Sequence, residues 1–380
     1  MKNIFGQFPG GRFLGKEEIK NVSEVIKSRS PYRFSGLGLK MYCNKLEKSM
    51  ANFVNKKYAL VVNSGTAALH CALNAIGVKP GDEVIVPAYG WSADLMSIIM
   101  VGAVPVIAPV SIDVNLDLKK VKNLVTKKTK ALIVIHMRGY PCNFTNIVSF
   151  FKKKNIPIIE DCSQCFGGFL PNKKRVGSLG DISTMSLQYN KMITSGEGGA
   201  IMTNSSRYHS SCVRFHNLGM NRKIGSDPRK TNDPIGPYSI MSRGFNYRMS
   251  EITAAVAFAQ LKKIKDIIKG CKKNWLLIKS ILEEFEKKKI CKIKRLSKDC
   301  SSNYAFIGFE RSKSISHNKF IKLLEKNKIK FSHVNLKDSH HFEIWKHFLK
   351  REKIKFIDKT DRNSHSNLSV NYFCEINSGK

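Results

Sequence analysis

The stretch YALVVNSGTAALHCALNAIGVKPGDEVIVP, residues 58–87, decides the fold. Its first six residues form an apolar run of strand length. The SGTAALHCALNAIG that follows is rich in Ala and Leu, which favour helix, and ends on a glycine suited to a helix C-terminus. DEVIVP (82–87) is then a second strand-length apolar run. Two buried strands joined through a helix form a crossover unit, and crossover units build parallel sheets.

The alternation continues outward. WSADLMSIIMVG predicts a helix, VPVIAPV (104–110) a strand, residues 117–125 a helix and ALIVIH (131–136) a strand. A helix near 144–154 and a strand IPIIED (156–161) complete the series. The expected architecture is α/β with a mostly parallel, buried sheet. Ligands of such sheets sit outside the carboxyl ends of the strands. Asn63, Pro87, His136 and Asp161 all fall at those ends, so one shared cleft is expected.

From about residue 250 the spacing is helical over many turns, with a break or bend expected near Gly270. NYAFIGFE, a helix near 315–327 and IKFSHVN suggest a smaller α/β domain. The stretch from 357 to the end lacks periodicity and is assigned no structure. A division into residues 1–265 and 266–380 follows.

Composition narrows the function classes. The start, MKNIFGQFPGGRFLGKEE, has no apolar h-region, and the longest uncharged run contains Gly102, Pro105 and Pro109, against a membrane span. Ten cysteines without a secretory signal suggest a cytoplasmic protein with free thiols. Cys162 and Cys165 have redox or metal-site spacing but no second pair, so no metal is expected and the pair reads as strand-end packing. The net charge of +36 raises the question of nucleic acid. Within residues 261–356, however, 27 Lys and Arg face 10 Asp and Glu in short scattered clusters. Few aromatics interleave them and no nucleic-acid-binding motif occurs, so they read as solvated faces.

Several residues carry chemistry together. Ser64, Gly65 and Thr66 open a helix directly after a strand, where free N–H groups suit a phosphate, although the same residues make an ordinary helix cap. Asp161 ends an apolar strand and can hold a protonated ring nitrogen or cap a turn. In SLQYNKMITSGEGGAIMTN (186–204), Lys191 precedes Gly196, Gly198 and Gly199, which permit close backbone approach. With Trp91 at another strand end, a phosphate site, an acid and a lysine able to form a Schiff base describe pyridoxal phosphate.

The chain resembles the DegT/DnrJ/EryC1/StrS family, sugar aminotransferases of the fold-type-I pyridoxal-phosphate superfamily, over roughly residues 10–265. The resemblance rests on NSGTAALHCAL with GDEVIVPAYGW, HMRGYPCN, EDCSQCFGG through VGSLGDISTMSLQYNKMITSGEGGAIMT, and GFNYRMSEITAAVAFAQL. Beyond 265 it fades to hints such as HHFEIWKHF. It implies an aspartate-aminotransferase-like fold, with a large three-layer domain and a smaller C-terminal α/β domain.

It also implies roles. Lys191 matches the Schiff-base lysine, Asp161 the carboxylate on the pyridine nitrogen, Gln164 the residue near the ring's phenolic oxygen and Trp91 the stacking aromatic. Gly65, Thr66, Ala67 and Ser186 match the phosphate cradle. Asn246 matches an asparagine that reaches the neighbouring subunit's phosphate, which implies a homodimer with shared sites. The implied reaction is ping-pong transfer from glutamate or glutamine to a keto sugar, with pyridoxamine phosphate as the intermediate form.

Gln188, Leu187, Gly90 and Asn143 depart from the commoner family pattern, as do Cys162 and Cys165. A histidine in place of Lys191 would mark the related sugar dehydratases, and the lysine is retained. A non-catalytic, cofactor-binding regulator is the other alternative, and the retained Lys191 and Asp161 argue against it.

Overall fold

The computed structural model describes residues 8–220, 242–296, 299–329, 331–334, 340–360 and 371–375. Its strands are β1 (Tyr58–Val62), β2 (Glu83–Pro87), β3 (Val104–Ala108), β4 (Thr129–Ile135), β5 (Ile158–Asp161), β6 (Ile182–Ser186), β7 (Gly199–Thr203), β8 (Cys291–Ile293), β9 (Phe306–Arg311), β10 (Ser332–His333), β11 (Ile357–Asp358) and β12 (Asn371–Glu375). Its α-helices are α1 (Lys16–Lys27), α2 (Tyr42–Val54), α3 (Gly65–Ile76), α4 (Ser92–Met100), α5 (Thr145–Lys153), α6 (Ser206–Phe215), α7 (Glu251–Lys287), α8 (His317–Lys326) and α9 (Phe342–Arg351).

Eight strands form the main sheet in the order β1-β7-β6-β5-β4-β2-β3-β11. The pairs from β6 to β11 are parallel, and β7 runs antiparallel to both β6 and β1. This is the parallel α/β sheet expected from the alternation. β2, β3, β5, β6 and β7 are buried along their whole length, as a sheet covered on both faces requires. Two apolar clusters cover it. One joins α2, α5 and α7 to one face; the other joins α3, α4 and α6 to the opposite face.

The second sheet is antiparallel, in the order β10-β12-β9-β8. It confirms the expected strand in NYAFIGFE and the helix near 315–327. Only Ser332–His333 of IKFSHVN is strand, and Lys330 and Asn335 lie outside the described residues.

Three local expectations are corrected. Residues 117–125 contain only a 3-10 turn, Val121–Leu124. Leu118, Val121 and Leu124 recur every three residues, the 3-10 period, and Asp117 Oδ1 accepts the Lys119 N–H in competition with a helical start. α7 does not break near Gly270 but runs unbroken for 37 residues. One interior glycine costs about 1 kcal/mol, and packing of α7 against α1, α2, β8 and β9 outweighs it. The stretch after 357 does hold structure: β11 extends the main sheet, and β12 lies between β10 and β9. Partner strands far away in sequence support these segments, so no local period reveals them.

The division at residue 265 falls inside α7, which carries the chain from the main sheet toward the second. No helix among the described residues is long and apolar enough to cross a membrane.

Candidate active site

A cavity of about 670 Å³ opens at the carboxyl edge of the parallel strands. Its wall begins where β1 passes into α3. Ser64 is the N-cap: its Oγ accepts the Ala67 N–H at 3.0 Å. The N–H groups of Gly65 and Thr66 are left without a partner among the described residues. Ala67 is therefore buried behind the cradle, and Gly65 and Thr66 are the outward donors. A Cβ on Gly65 would meet the Ser186 Cβ at 2.8 Å, so only glycine lets the helix end sit against β6.

The loop from β6 to β7 brings Lys191 to the same cavity. It is folded back on itself: Leu187 N–H donates to Gly198 O at 2.8 Å, and Thr194 Oγ1 donates to Leu187 O at 3.0 Å. Gly196 and Gly198 have φ of 83° and 148°, the region that favours glycine. Lys191 is half-buried. Burial lowers its pKa below the ordinary lysine value; Asp161 and Asp94 oppose that shift, and the Arg138 charge adds to it.

Asp161 ends β5, is buried, and accepts the Ser163 N–H through Oδ1 at 2.9 Å. Gln164 follows, its Oε1 taking the Arg138 N–H at 3.0 Å. Trp91, at the start of α4, stays half-exposed at the cavity and meets the His340 ring at a centroid distance of 5.1 Å.

Gly65, Thr66, Trp91, Asp161, Gln164, Ser186 and Lys191 thus all line one cavity. Asn246 does not. It is exposed, and its carbonyl oxygen accepts a long hydrogen bond from Asn63 Nδ2 at 3.5 Å.

The cavity also holds residues that sequence reasoning passed over. Asp94 stands in the otherwise apolar WSADLMSIIM, a charge that could have drawn attention. Arg138 lies inside a block already quoted; its φ of 50° turns it out of the end of β4. Its guanidinium donates to Tyr89 Oη at 3.2 Å and lies 5.5 and 5.7 Å from the Phe306 and Phe373 ring centres. Asn303, Phe306 and Phe373 come from the C-terminal third, beyond the reach of the resemblance, and His340 opens the HHFEIWKHF hint.

Behind the cavity, His136, Glu160 and Cys162 cluster closely enough to suggest a metal. Their atoms are already engaged. Glu160 accepts from Gly177, Leu179 and Gly180 N–H and from His136 Nε2, whose Nδ1 accepts the Cys142 N–H. Cys162 and Cys165 donate to the Glu160 and Gly139 carbonyls, and burial pushes both thiols up. The cluster is a hydrogen-bonded brace that fixes the carboxyl ends of β4 and β5.

The DegT/DnrJ/EryC1/StrS aminotransferase family model matches residues 13–379. The chain belongs to this family. GDP-perosamine synthase of Vibrio cholerae is 36% identical over 230 residues, which are 60% of this chain and 59% of that protein. The chain thus matches about three-fifths of that curated relative's length. The solved aminotransferase of Psychrobacter cryohalolentis superposes with a TM-score of 0.84, covering 99% of this chain and 95% of that one at 24% identity. An Escherichia coli GDP-4-keto-6-deoxy-D-mannose-3-dehydratase with bound hydrated PLP gives 0.82, covering 98% and 95% at 21% identity. The family match and these likenesses together show the fold-type-I architecture.

Proposed function

We propose that this chain is a pyridoxal 5′-phosphate-dependent aminotransferase that moves an amino group from glutamate or glutamine to a keto sugar. Family membership supports the reaction class. The observation that carries the reading is the meeting of Lys191, Asp161 and the N-terminus of α3 on one cavity.

The residues present fit the cofactor. Two backbone N–H groups and the α3 dipole offer a phosphate site beside Ser186. A buried carboxylate faces the place for a ring nitrogen, and Trp91 offers an apolar face. When bound, pyridoxal phosphate supplies an electron sink for the donor's α-carbon.

The chain's own residues do the rest. Asp161 would hold a proton on the ring nitrogen. Lys191, with its pKa lowered, would take the proton from the donor Cα and return one across the donor nitrogen, at the carbon bonded to its other side. Arg138, which lines the same cavity, offers a planar cation to a substrate carboxylate or phosphate. Apolar walls from Phe306 and Phe373 limit water around it.

Relatives named GDP-perosamine synthase make a GDP-linked keto sugar the first acceptor to test. The exposed position of Asn246, with Leu218 and Phe245 exposed beside it, supports a homodimer in which this residue serves the partner's site. Ten free cysteines support a cytoplasmic location.

The test is spectroscopic. Loaded wild type should lose its visible cofactor band on adding glutamate or glutamine, then regain it with a keto sugar as amino sugar forms; Lys191→Ala should do neither. A wild-type chain that retains no cofactor, or that yields a deoxygenated sugar in place of an amino sugar, would overturn the reading.

A further inference from the structure

The glycine pair in FPGGRFL, residues 8–14, meets the lysine loop on both sides of Lys191. Phe8 and Pro9 line the cavity wall. Next to them the Gly10 N–H donates to the Lys191 carbonyl oxygen at 3.3 Å, the one donor to that oxygen among the described residues. A Cβ on Gly10 would lie 3.0 Å from both Ile193 Cα and the Thr194 nitrogen, and 3.1 Å from Gln260 Oε1. A Cβ on Gly11 would lie 3.0 Å from the Tyr189 ring, against which Phe8 packs edge-on at a centroid distance of 5.6 Å.

Backbone angles do not explain these glycines. Gly10 has φ of −66° and ψ of −40°, which any residue adopts, and Gly11 starts a 3-10 turn. What requires them is the closeness of the strap to the loop.

The strap is clamped at its other end to α7. Gln260 is fully buried; its Oε1 accepts the Thr194 N–H at 3.4 Å, and its Nε2 donates to Glu18 Oε1 at 3.0 Å. One turn on, Lys263 Nζ donates to the Phe13 carbonyl oxygen at 2.9 Å and to the Glu18 oxygens at 2.9 and 2.7 Å. The strap and the lysine loop are thus tied to the same stretch of helix.

We propose that the strap Phe8–Leu14 positions Lys191: it holds the lysine's backbone where the amine can reach both the cofactor's aldehyde carbon and the donor's α-proton. Gly10 and Gly11 are positioning residues, since neither lies at the reacting atoms. The loop carries flexible glycines after its lysine, so its precision comes from the strap packed before and beside it. A misplacement of about 1 Å at such a group costs on the order of 10²-fold. The inference rests on the cofactor reading above.

The test separates holding the cofactor from capturing it. 4′-Deoxypyridoxine 5′-phosphate has the ring nitrogen and phosphate but no aldehyde, so its affinity, read by calorimetry on the cofactor-free protein, reports the cavity without Lys191 chemistry. Pyridoxal phosphate condenses with the Lys191 amine and releases water. Borohydride reduction at timed intervals, with mass spectrometry of the Lys191 peptide, reads the rate of that capture.

Gly10→Ala should keep the analogue's affinity within about twofold of wild type and slow capture at least about tenfold. Gln260→Met keeps the side chain's bulk but cuts its bonds to Thr194 and Glu18. It should show the same split, and it carries the test if Gly10→Ala does not fold. Gly15→Ala is the control: its Cβ would meet nothing within 4 Å, so both readings should match wild type. Unchanged capture in Gly10→Ala and Gln260→Met, or equal losses of affinity and capture, would overturn the strap's role alone. So would a loss of capture in Gly15→Ala as large as in Gly10→Ala. A wild-type chain that binds neither the analogue nor pyridoxal phosphate would overturn the cofactor reading as well.

Discussion

Gly199 begins β7 directly against Ser64, so close that a Cβ on Gly199 would overlap the Ser64 carbonyl oxygen. This contact joins the two halves of the candidate site, since Ser64 caps α3 and Gly199 ends the loop that presents Lys191. Gly199→Ala should therefore push the helix end and the lysine loop apart. We expect a loss of about 1–3 kcal/mol in stability, the usual cost of overpacking a tight contact. Cofactor affinity should fall further than that loss alone explains. Denaturant unfolding and a cofactor-binding titration on the same variant check both; an unchanged affinity would show that the contact matters only to folding.

Much of this site was legible in the sequence because its parts are local. A strand end, a helix cap and a glycine run are written in consecutive residues, and the period of the apolar runs placed them on one sheet edge. Asp94 and Arg138 were passed over for a different reason. A single charge in an apolar helix gives no sign of what it faces, and the partners of both come from strands distant in the chain. The tail was opaque for a related reason: β12 is stabilised by pairing with β9 and β10. Its pattern is not periodic on its own, and pairing of that kind leaves no local trace.

Lys191→Ala should leave the fold intact, because the Lys191 ammonium makes no hydrogen bond among the described residues. Amino transfer should fall by about 10²–10⁴-fold or more, the range that positioned proton transfer contributes. Circular dichroism of the variant beside a single-turnover assay with glutamate tests this. Unfolding, or a rate within a few-fold of wild type, would refute the assigned role.

Lys191 should also write itself into the pH profile. The proton-accepting form is the neutral amine, so the donor half-reaction should rise with pH through the Lys191 pKa, below the ordinary lysine value of 10.5. Arg138 helps to hold that pKa down by like-charge repulsion. Arg138→Gln should therefore move the limb to higher pH. A limb that moves downward, or stays fixed, would show that Arg138 does not act on Lys191.

The buried His136–Glu160 pair gives a separate, structural prediction. Burial alone would raise the Glu160 pKa, but hydrogen bonds from His136 and from the Gly180 and Gly177 N–H groups hold it below the ordinary 4.5. A depressed folded-state pKa adds stability above the unfolded value, and that stability is lost as pH falls through the folded one. Wild type should thus lose part of its stability on acidification below about pH 4.5. Glu160→Ala should cost about 3–5 kcal/mol at neutral pH, because it leaves buried donors unpaired. It should also flatten that part of the acid dependence, which urea midpoints measured at pH 7 and pH 4 would show.

Subunit mixing provides the sharpest test of shared sites. Asn246 lies outside its own cavity, so a dimer that shares sites should place it at the partner's phosphate. Lys191→Ala and Asn246→Ala homodimers should each be impaired at both sites. In a mixed dimer, one site receives both altered residues, while the other pairs an intact Lys191 with an intact Asn246. Mixing two weak proteins should therefore restore activity, approaching one working site per mixed dimer. If Asn246 instead serves its own subunit, every site in the mixture carries one defect and no activity returns. Gel filtration of the mixture, with the two chains distinguishably tagged, would confirm that exchange took place.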